Sequence, residues 1–474
     1  MSISAKILSN FKSIVGDSAI LTEAKGKAPH EGDWRGRKSG KTPVVVLPSS
    51  TEQVASIVRI CHENDIKMVP QGGNTGLVLG GIPSDDDDEV VINLSRMNKI
   101  IKVDGEAYTI TVEAGVILQS VQEAAKDNDR LFPVSLAAEG SCQVGGNIAT
   151  NAGGIHVLRY GNMREQVLGL EVVLANGDVW NGLKALRKDN AGYDLKQLFI
   201  GAEGTLGIIT KATLKLAPQP TSIETAILGI DDPKTAIHLL SALRAKLGDG
   251  LVAFEIFPQN GLDIVLKNIP NTRSPMGETS GWYAICELWG FEEQSAMNTR
   301  FTETLLDMCE QDLAGDVVLA TSEAQRKDFW GIRENMPMAL KMEGAGFAFD
   351  ISVPLSKIPD FLEKADKAVA QLIPNIRTIP FGHAGDGNLH YNIAPPKDMS
   401  VEELLTRREE IVRIVHDITY ALDGSIAAEH GVGTQKVGEV AHYKSATELA
   451  MFKVLKTAYD PKGLLSPGRI IKID

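Results

Sequence analysis

Over sixteen consecutive residues, Glu139-Gly140-Ser141-Cys-Gln-Val-Gly145-Gly146-Asn147-Ile-Ala-Thr150-Asn151-Ala-Gly153-Gly154, the chain carries almost no charge and almost no bulk. Such a run is poor core material and suits close approach of the backbone to a large planar or phosphorylated ligand. Two other patches share this texture. Met68-Val-Pro70-Gln71-Gly72-Gly73-Asn74-Thr75-Gly76 reads as a strand end opening into a turn without side-chain bulk. Its backbone N–H groups suit a pyrophosphate, although an ordinary glycine loop fits the residues equally well. Ile200-Gly-Ala-Glu203-Gly204-Thr-Leu-Gly207-Ile208-Ile209 is similar and ends in a strand. No Gly-x-Gly-x-x-Gly occurs, which counts against a Rossmann site. Three spaced patches imply one extended cofactor bound in another way.

Length and charge bound the class. The 474 residues suffice for two or three domains with their own cores. Lys plus Arg number 48 against 61 Asp plus Glu, a formal net charge of −13, which argues against a general nucleic-acid or anionic-membrane binder. Cys61, Cys142, Cys286 and Cys309 form no Cys-x-x-Cys pair, so neither a disulfide framework nor a thiolate zinc site is indicated. Residues 1–26 lack a long apolar core and read as neither a signal peptide nor a membrane span. A soluble cytoplasmic protein is expected.

The first ordered unit is expected near Asp33-Trp34-Arg35-Gly36-Arg37, a surface salt-bridge cluster. Gly40-Lys41-Thr42 imitates the end of a P-loop, but Arg35 stands where its first glycine belongs. Val44–Leu47 predicts a strand, and Ser50 with Gln53 a capping box before a helix through Val54, Ile57, Val58 and Cys61. Asp85–Glu89 reads as a solvated acidic loop without the ligand spacing of a calcium site. Strands are expected at Val90–Leu94, Ile100–Val103 and Tyr108–Val112, and a helix from about Val116 to Asn128. Beyond Pro218 and Pro220, strands at Ala226–Ile230, Leu251–Phe257, Trp282–Leu288 and Phe347–Val353 alternate with helices at Thr235–Leu247, Glu292–Gln311 and Ile358–Leu372. That rhythm predicts an α+β domain with helices packed on one face of a sheet. A long helix from about Val401 to Leu422 follows. The expected division is residues 1–220, residues 221–422, and a C-terminal segment, residues 423–474, returning to the first domain.

Late in the chain, Phe381-Gly-His383-Ala-Gly-Asp386-Gly-Asn388-Leu-His390 places two imidazoles around a glycine turn. Its Gly, Asp and Asn residues let a backbone reverse tightly between short strands, aiming both rings at one point. Glu429, some forty residues on, supplies a third ligand. Two histidines and a carboxylate are a catalytic metal set with an open coordination position, and His430 is then left for other work. Any single one of these histidines reads more simply as a turn or core residue. Clustering favours the metal, since the chain holds only nine histidines.

Together, Gln71–Gly76, Glu139–Gly154, Glu203–Gly207, His383–His390, Glu429-His430-Gly431-Val432-Gly433 and Ser466-Pro467-Gly468 resemble the FAD-linked D-2-hydroxyacid dehydrogenases, in order and over almost the whole chain. The resemblance implies a two-part FAD-binding domain of the vanillyl-alcohol-oxidase type and an α+β cap domain with an antiparallel sheet. It implies FAD held by Pro70, Gly72, Gly73, Asn74, Thr75, Gly76, Pro133, Glu139, Gly140, Ser141, Gly145, Gly146, Asn147, Thr150, Asn151, Gly153, Gly154, Glu203, Gly204, Gly207, Ile208 and Ile209. Asn74 stands where relatives with covalent flavin often carry histidine, so the FAD is expected to be non-covalent. His383, His390 and Glu429 match the family's divalent metal ligands, usually zinc. His430 matches the general base, Arg333 the arginine on the substrate carboxylate, and Asn392 a substrate-contacting asparagine. Without the resemblance, Arg333 reads as a helix-surface ion pair with Glu334 or a neighbour. Asp386 and Asn388 suit either turn formation or orientation of the histidines.

The chemistry suits these residue types. Oxidising a 2-hydroxyacid takes a proton from a weakly acidic hydroxyl and a hydride from the α-carbon. A cation stabilises the developing alkoxide, an imidazole takes the proton and a guanidinium orients the carboxylate. Relatives acting on 2-hydroxyglutarate carry Thr and Lys where this chain has Pro337 and Ala348, so a D-lactate-like substrate is expected, with D-2-hydroxyglutarate or D-malate as the alternative. A quinone, cytochrome or electron-transfer flavoprotein is expected as electron acceptor, and a homodimer is compatible. Two other classes remain: a metallohydrolase, which has no use for the glycine patches, and a non-catalytic flavin-binding subunit, which has none for His430 and the ligand set.

Overall fold

The structure, a computed structural model, describes residues 3–36 and 38–473; Arg37 of the expected salt-bridge cluster lies outside the described residues. The chain forms two compact units, one made of Met1–Gly153, Gly161–Gln219 and His430–Asp474, the other of Gly154–Tyr160 and Pro220–Glu429.

Order in the first unit begins well before Asp33. The helix Ala5–Val15 is capped by Ser4, whose side chain accepts from the Ile7 amide, and buries Phe11 and Val15 one turn apart. Four short strands, β1 (Ile20–Leu21), β2 (Val45–Val46), β3 (Lys67–Gln71) and β4 (Glu89–Asn93), make a sheet in the order β1-β2-β4-β3, with β2 and β3 parallel to β4. The helix Thr51–Glu63 leaves β2, buries Val54, Ile57, Val58 and Cys61, and is capped by Ser50. Only half of the expected capping box forms, because the Gln53 side chain accepts from the Ser49 amide at 2.8 Å.

The acidic run also differs from expectation at its end. Glu89 belongs to β4, is buried, and meets Arg469 at 2.7 Å. A buried carboxylate requires such a partner, and Arg469 supplies it from the far end of the chain. Leu465 extends the same sheet through a bridge to Met68, with the Ser466 amide on the Met68 carbonyl at 2.8 Å. The C-terminal segment is thus bound into this unit by backbone and by charge.

The remaining strands of the unit are β5 (Ile100–Asp104), β6 (Thr109–Glu113), β7 (Arg130–Leu131), β8 (Val167–Val173), β9 (Val179–Gly182), β10 (Ile208–Lys215) and β11 (Ala217–Pro218). Five of them form an antiparallel sheet in the order β5-β6-β10-β8-β9, while β7 pairs with β11. Interior β6 is buried on both faces, including Thr109 and Glu113, so this strand has no wet face.

The second unit carries β12 (Ser222–Ile230), β13 (Leu251–Pro258), β14 (Trp282–Gly290), β15 (Val317–Leu319), β16 (Phe347–Ser352), β17 (Arg377–Phe381) and β18 (Asn388–Ala394). They form two antiparallel sheets, β13-β14-β12-β15 and β16-β18-β17, linked by a bridge between Ile256 and Gly382. The helices Pro233–Leu247, Gln294–Glu310 and Ile358–Leu372 form as expected and share one core with both sheets. The single helix expected over 401–422 is instead Val401–Thr406 and Arg408–Ala421. The Thr406 hydroxyl bonds back to the Glu403 carbonyl and Arg407 pairs with Glu410, local bonds that compete with helix continuation. Sequence periodicity did not reveal the helices Gln259–Asn268, Glu323–Glu334 and Met336–Met342. Pro337 sits in the first turn of the last, where its missing N–H costs nothing.

Candidate active site

A cleft opens in the first unit with about 1050 Å³ of empty space, its open mouth included. The turn after β3 forms one wall. Gln71 braces it: its amide nitrogen donates to the carbonyls of His30 (2.9 Å) and Gly81 (2.8 Å), and its oxygen lies 2.7 Å from His30 Nδ1. Asn74 donates to the carbonyls of Gly32 at 2.9 Å and Pro29 at 3.2 Å. A side chain at Gly73 would come within 2.2 Å of the Ser141 carbonyl, whereas a Cβ at Gly146 would meet open space. The first glycine lets two segments close behind the cleft and the second leaves room inside it.

Of the residues that the resemblance assigns to the cofactor, Pro70, Gly72, Gly73, Asn74, Thr75, Gly76, Gly145, Gly146, Asn147, Thr150, Glu203, Gly204, Gly207, Ile208 and Ile209 line this cleft, and His430 joins them. Pro133, Glu139, Gly140, Ser141, Asn151, Gly153 and Gly154 lie outside its wall. Several have other duties. The Glu139 carboxylate accepts from Gln122 and Ser135, both at 3.1 Å, and Asn151 accepts from the Arg164 amide at 2.9 Å. Gly154 belongs to the second unit, where its amide donates to Glu429 at 3.3 Å. Val78, Leu79, Gly80, Gly81, Ile82 and Gln143 also line the cleft; the Gly80-Gly81 pair is the signal that could have found that stretch.

In the second unit, β17 and β18 are joined by the turn that carries His383. Gly387 takes a φ of +89°, and a Cβ there would lie 2.4 Å from the Val353 carbonyl, so only glycine lets this reversal seat against β16. His390 on β18 faces Phe381 of β17 and Asp350 of β16 in register. Asp350 is buried and accepts from the Glu429 amide at 3.0 Å and from Asn388 at 3.0 Å, holding two segments at once. The result gathers ligand atoms of His383, His390 and Glu429 within 4.8 Å of one another. His383 Nε2 and Glu429 Oε1 are 3.5 Å apart.

The residue that sequence reasoning missed is Glu255. It lies on β13, fully buried, with Oε1 at 2.5 Å from His383 Nδ1 and Oε2 at 2.5 Å from Arg333 Nε. A glutamate in a strand of Val, Ala, Phe and Ile was the available signal. Burial alone would raise its pKa, yet the Arg333 and His383 charges hold it near about 2. Burial likewise favours a neutral His383 ring, but Glu255 and Glu429 outweigh it and push the ring up to about 9. A ring bracketed by two carboxylates is a place that could hold a cation. Burial also pushes Asp386 up to about 6.

Arg333 is therefore not the helix-surface ion pair that its neighbours suggest: it is buried, pairs with Glu255, and lies over the Phe381 ring at 4.6 Å. Asn392, two residues past His390 on the same strand face, donates to the His390 carbonyl at 2.9 Å and the Ile379 carbonyl at 3.3 Å. Ala348 pairs with Asn392 in register and is exposed. Among the described residues, all four cysteines are free thiols and no helix is long and apolar enough to cross a membrane.

Comparison with known proteins identifies the family. Residues 42–182 match an FAD binding domain family and residues 219–470 the C-terminal domain of FAD linked oxidases. The chain is 36% identical over 470 residues to the mitochondrial D-2-hydroxyglutarate dehydrogenase of Arabidopsis thaliana, covering 99% of this chain and 82% of that protein. It is 36% identical over 465 residues to D-2-hydroxyglutarate dehydrogenase of Stutzerimonas stutzeri (strain A1501), covering 98% of each. The crystal structure of p-cresol methylhydroxylase with substrate bound superposes with a TM-score of 0.77 at 20% identity over 98% of this chain and 96% of that one, a likeness of fold. A cleft walled by glycine backbone fits an FAD, the metallohydrolase alternative leaves that domain without a use, and the chain belongs to the FAD-linked D-2-hydroxyacid dehydrogenases.

Proposed function

We propose that this chain oxidises D-2-hydroxyglutarate to the corresponding 2-oxoacid and passes the electrons to an external acceptor such as a quinone, a cytochrome or an electron-transfer flavoprotein. The substrate favoured by Pro337 and Ala348, a D-lactate-like acid, gives way here to the alternative. Relatives 36% identical over nearly the whole chain carry the 2-hydroxyglutarate name, and that outweighs two positions. The observation that carries the chemistry is the convergence of His383, His390 and Glu429 within 4.8 Å, in a chain whose other unit holds a glycine-walled cleft.

FAD, when bound, supplies a hydride acceptor at N5 of its ring. Pro70–Gly76 and Gly145–Thr150 offer it backbone rather than bulk, and the Asn74 amide, turned to two carbonyls, gives no nucleophile for a covalent link. His383, His390 and Glu429 would hold a divalent cation, probed first as zinc, which would supply Lewis-acid stabilisation of a developing alkoxide. His430 lines the cleft and takes the hydroxyl proton on its imidazole. Arg333 spends one of its five N–H donors on Glu255 and offers the rest of its planar fork to the substrate carboxylate. Asn392 positions the opposite side of the substrate from a strand that also carries His390.

Anaerobic titration of the yellow holoprotein with D-2-hydroxyglutarate, D-lactate, D-malate and glycolate tests this reading. Bleaching of the flavin at the lowest concentration by D-2-hydroxyglutarate is expected, followed by reoxidation with an artificial dye. Preferential bleaching by D-lactate would restore the smaller substrate, and no bleaching by any of the four would refute the oxidation itself. Chelation with EDTA should slow bleaching reversibly; full speed in metal-free protein would exclude the cation.

A further inference from the structure

The segment after His430 is gripped by the carboxylate of Glu203, a half-buried residue. Glu203 Oε1 accepts the Val432 N–H at 2.8 Å and its Oε2 accepts the Gly433 N–H at 2.7 Å. Gly431 adopts a φ of +81°, and a Cβ there would lie 2.8 Å from Glu203 Oε1. The loop is held on two further sides, by the Thr434 amide on the Val78 carbonyl at 3.1 Å and by the Ile470 amide on the Gly433 carbonyl at 3.2 Å. Glu203 is itself fixed. Its amide donates to the Ala149 carbonyl at 2.8 Å, and its φ of +48° is a conformation that residues other than glycine rarely adopt. Burial pushes its carboxyl pKa up while the two amides pull it back, so the group gives up hydration in order to serve as a double acceptor. An outlier backbone that aims a desolvated carboxylate at two successive peptide N–H groups marks an orientation that the fold maintains at some cost.

We propose, resting on the reading of His430 as the proton acceptor, that Glu203 is its positioning residue: both carboxylate oxygens fix the Gly431–Gly433 peptides and so aim the imidazole, and the carboxylate is not a cofactor contact. Glutamine at this place keeps one acceptor and turns an NH₂ group against a peptide N–H. Alanine at Gly431 disturbs the same contact from the other side.

The test uses flavin-loaded protein carrying Glu203→Gln, Gly431→Ala, His430→Ala, or Glu203→Gln with His430→Ala. Each is mixed anaerobically with the 2-hydroxyacid that bleaches the parent best. Glu203→Gln and Gly431→Ala are expected to retain flavin and the parent's half-saturating concentration, yet to reduce flavin on the order of 10- to 100-fold more slowly, as a misplaced catalytic group does. The double variant should be no slower than His430→Ala, because a group acting through another costs nothing once that other is gone. Loss of flavin from Glu203→Gln would overturn the proposal in favour of a cofactor contact, and a double variant slower than His430→Ala would show an independent role. A parent-like rate for Glu203→Gln beside a slow His430→Ala removes Glu203 alone. A parent-like rate for His430→Ala removes the base and the proposal together. If one of the two loop variants fails to fold, the other decides.

Discussion

Nδ1 of His383 lies 2.5 Å from Oε1 of Glu255, on a strand of the neighbouring sheet in the same unit. That contact orients the ring, so that in its neutral form the proton sits on Nδ1 towards Glu255 and Nε2 is left directed at Glu429. Ligand histidines held in this way bind metal more tightly, and loss of the partner typically weakens binding about 10- to 100-fold. Glu255→Gln should therefore lose metal at lower chelator concentrations than the parent, read as bound metal after dialysis. Equal retention would mean that the contact serves only to bury Arg333.

Arg333 has the complementary dependence. Removing it leaves Glu255 charged, buried and short of one partner, a loss that costs about 3–5 kcal/mol in a buried pair. Arg333→Ala should unfold at lower urea concentration and show weaker saturation by substrate at equal flavin content. Arg333→Lys keeps the charge without the fork, so it should recover stability more than substrate binding. Recovery of both would reduce the side chain to a charge partner.

Legibility in the sequence followed the range of the interaction. The turn between β17 and β18 was readable because its glycines, Asp386 and Asn388 are local chemistry, and the tail's return was readable from a motif. Glu255 and Asp350 were not, since each matters through partners brought together by strand pairing: His383 lies 128 residues from Glu255, and Glu429 79 residues from Asp350. The same cause misplaced Glu89, which looked like the end of a solvated acidic run until Arg469, 380 residues away, closed on it. Composition marked the cleft, but its wall from Val78 to Ile82 mixes apolar residues with its two glycines and lacks the bulk-free texture of the other patches.

The thiols make a separate check on burial. Cys61 and Cys286 are fully buried, and desolvation drives their pKa values far above the usual thiol range; Cys142 and Cys309 are raised in the same direction. The thiolate is the reactive form, so native protein at neutral pH should react slowly with a chromogenic disulfide, Cys309 fastest as the least buried. All four should react promptly once the chain is unfolded. Rapid native labelling at Cys61 or Cys286 would contradict the packing around those strands and helices.

Glu343 gives the clearest dependence of stability on pH. Its Oε1 accepts from Lys267 at 2.6 Å and Asn268 at 2.9 Å, and its Oε2 from Arg377 at 2.9 Å, tying the helix Gln259–Asn268 and β17 to the end of the helix Met336–Met342. These partners, Lys267 foremost, hold its carboxyl at about 2, below the ordinary 4.5. A carboxyl depressed in the folded state stabilises fully above its unfolded pKa, and that contribution fades as pH falls through the interval between the two values. Glu343→Gln should thus cost about 1 kcal/mol at pH 7, the range of a partly exposed ion pair. The gap from the parent should close as pH is lowered from 4.5 towards 2. Other carboxyls titrate alike in both proteins, so the difference in denaturation midpoint isolates this one. A gap that stays constant across that interval would mean the hydrogen-bond geometry, rather than the charge, holds the three elements together.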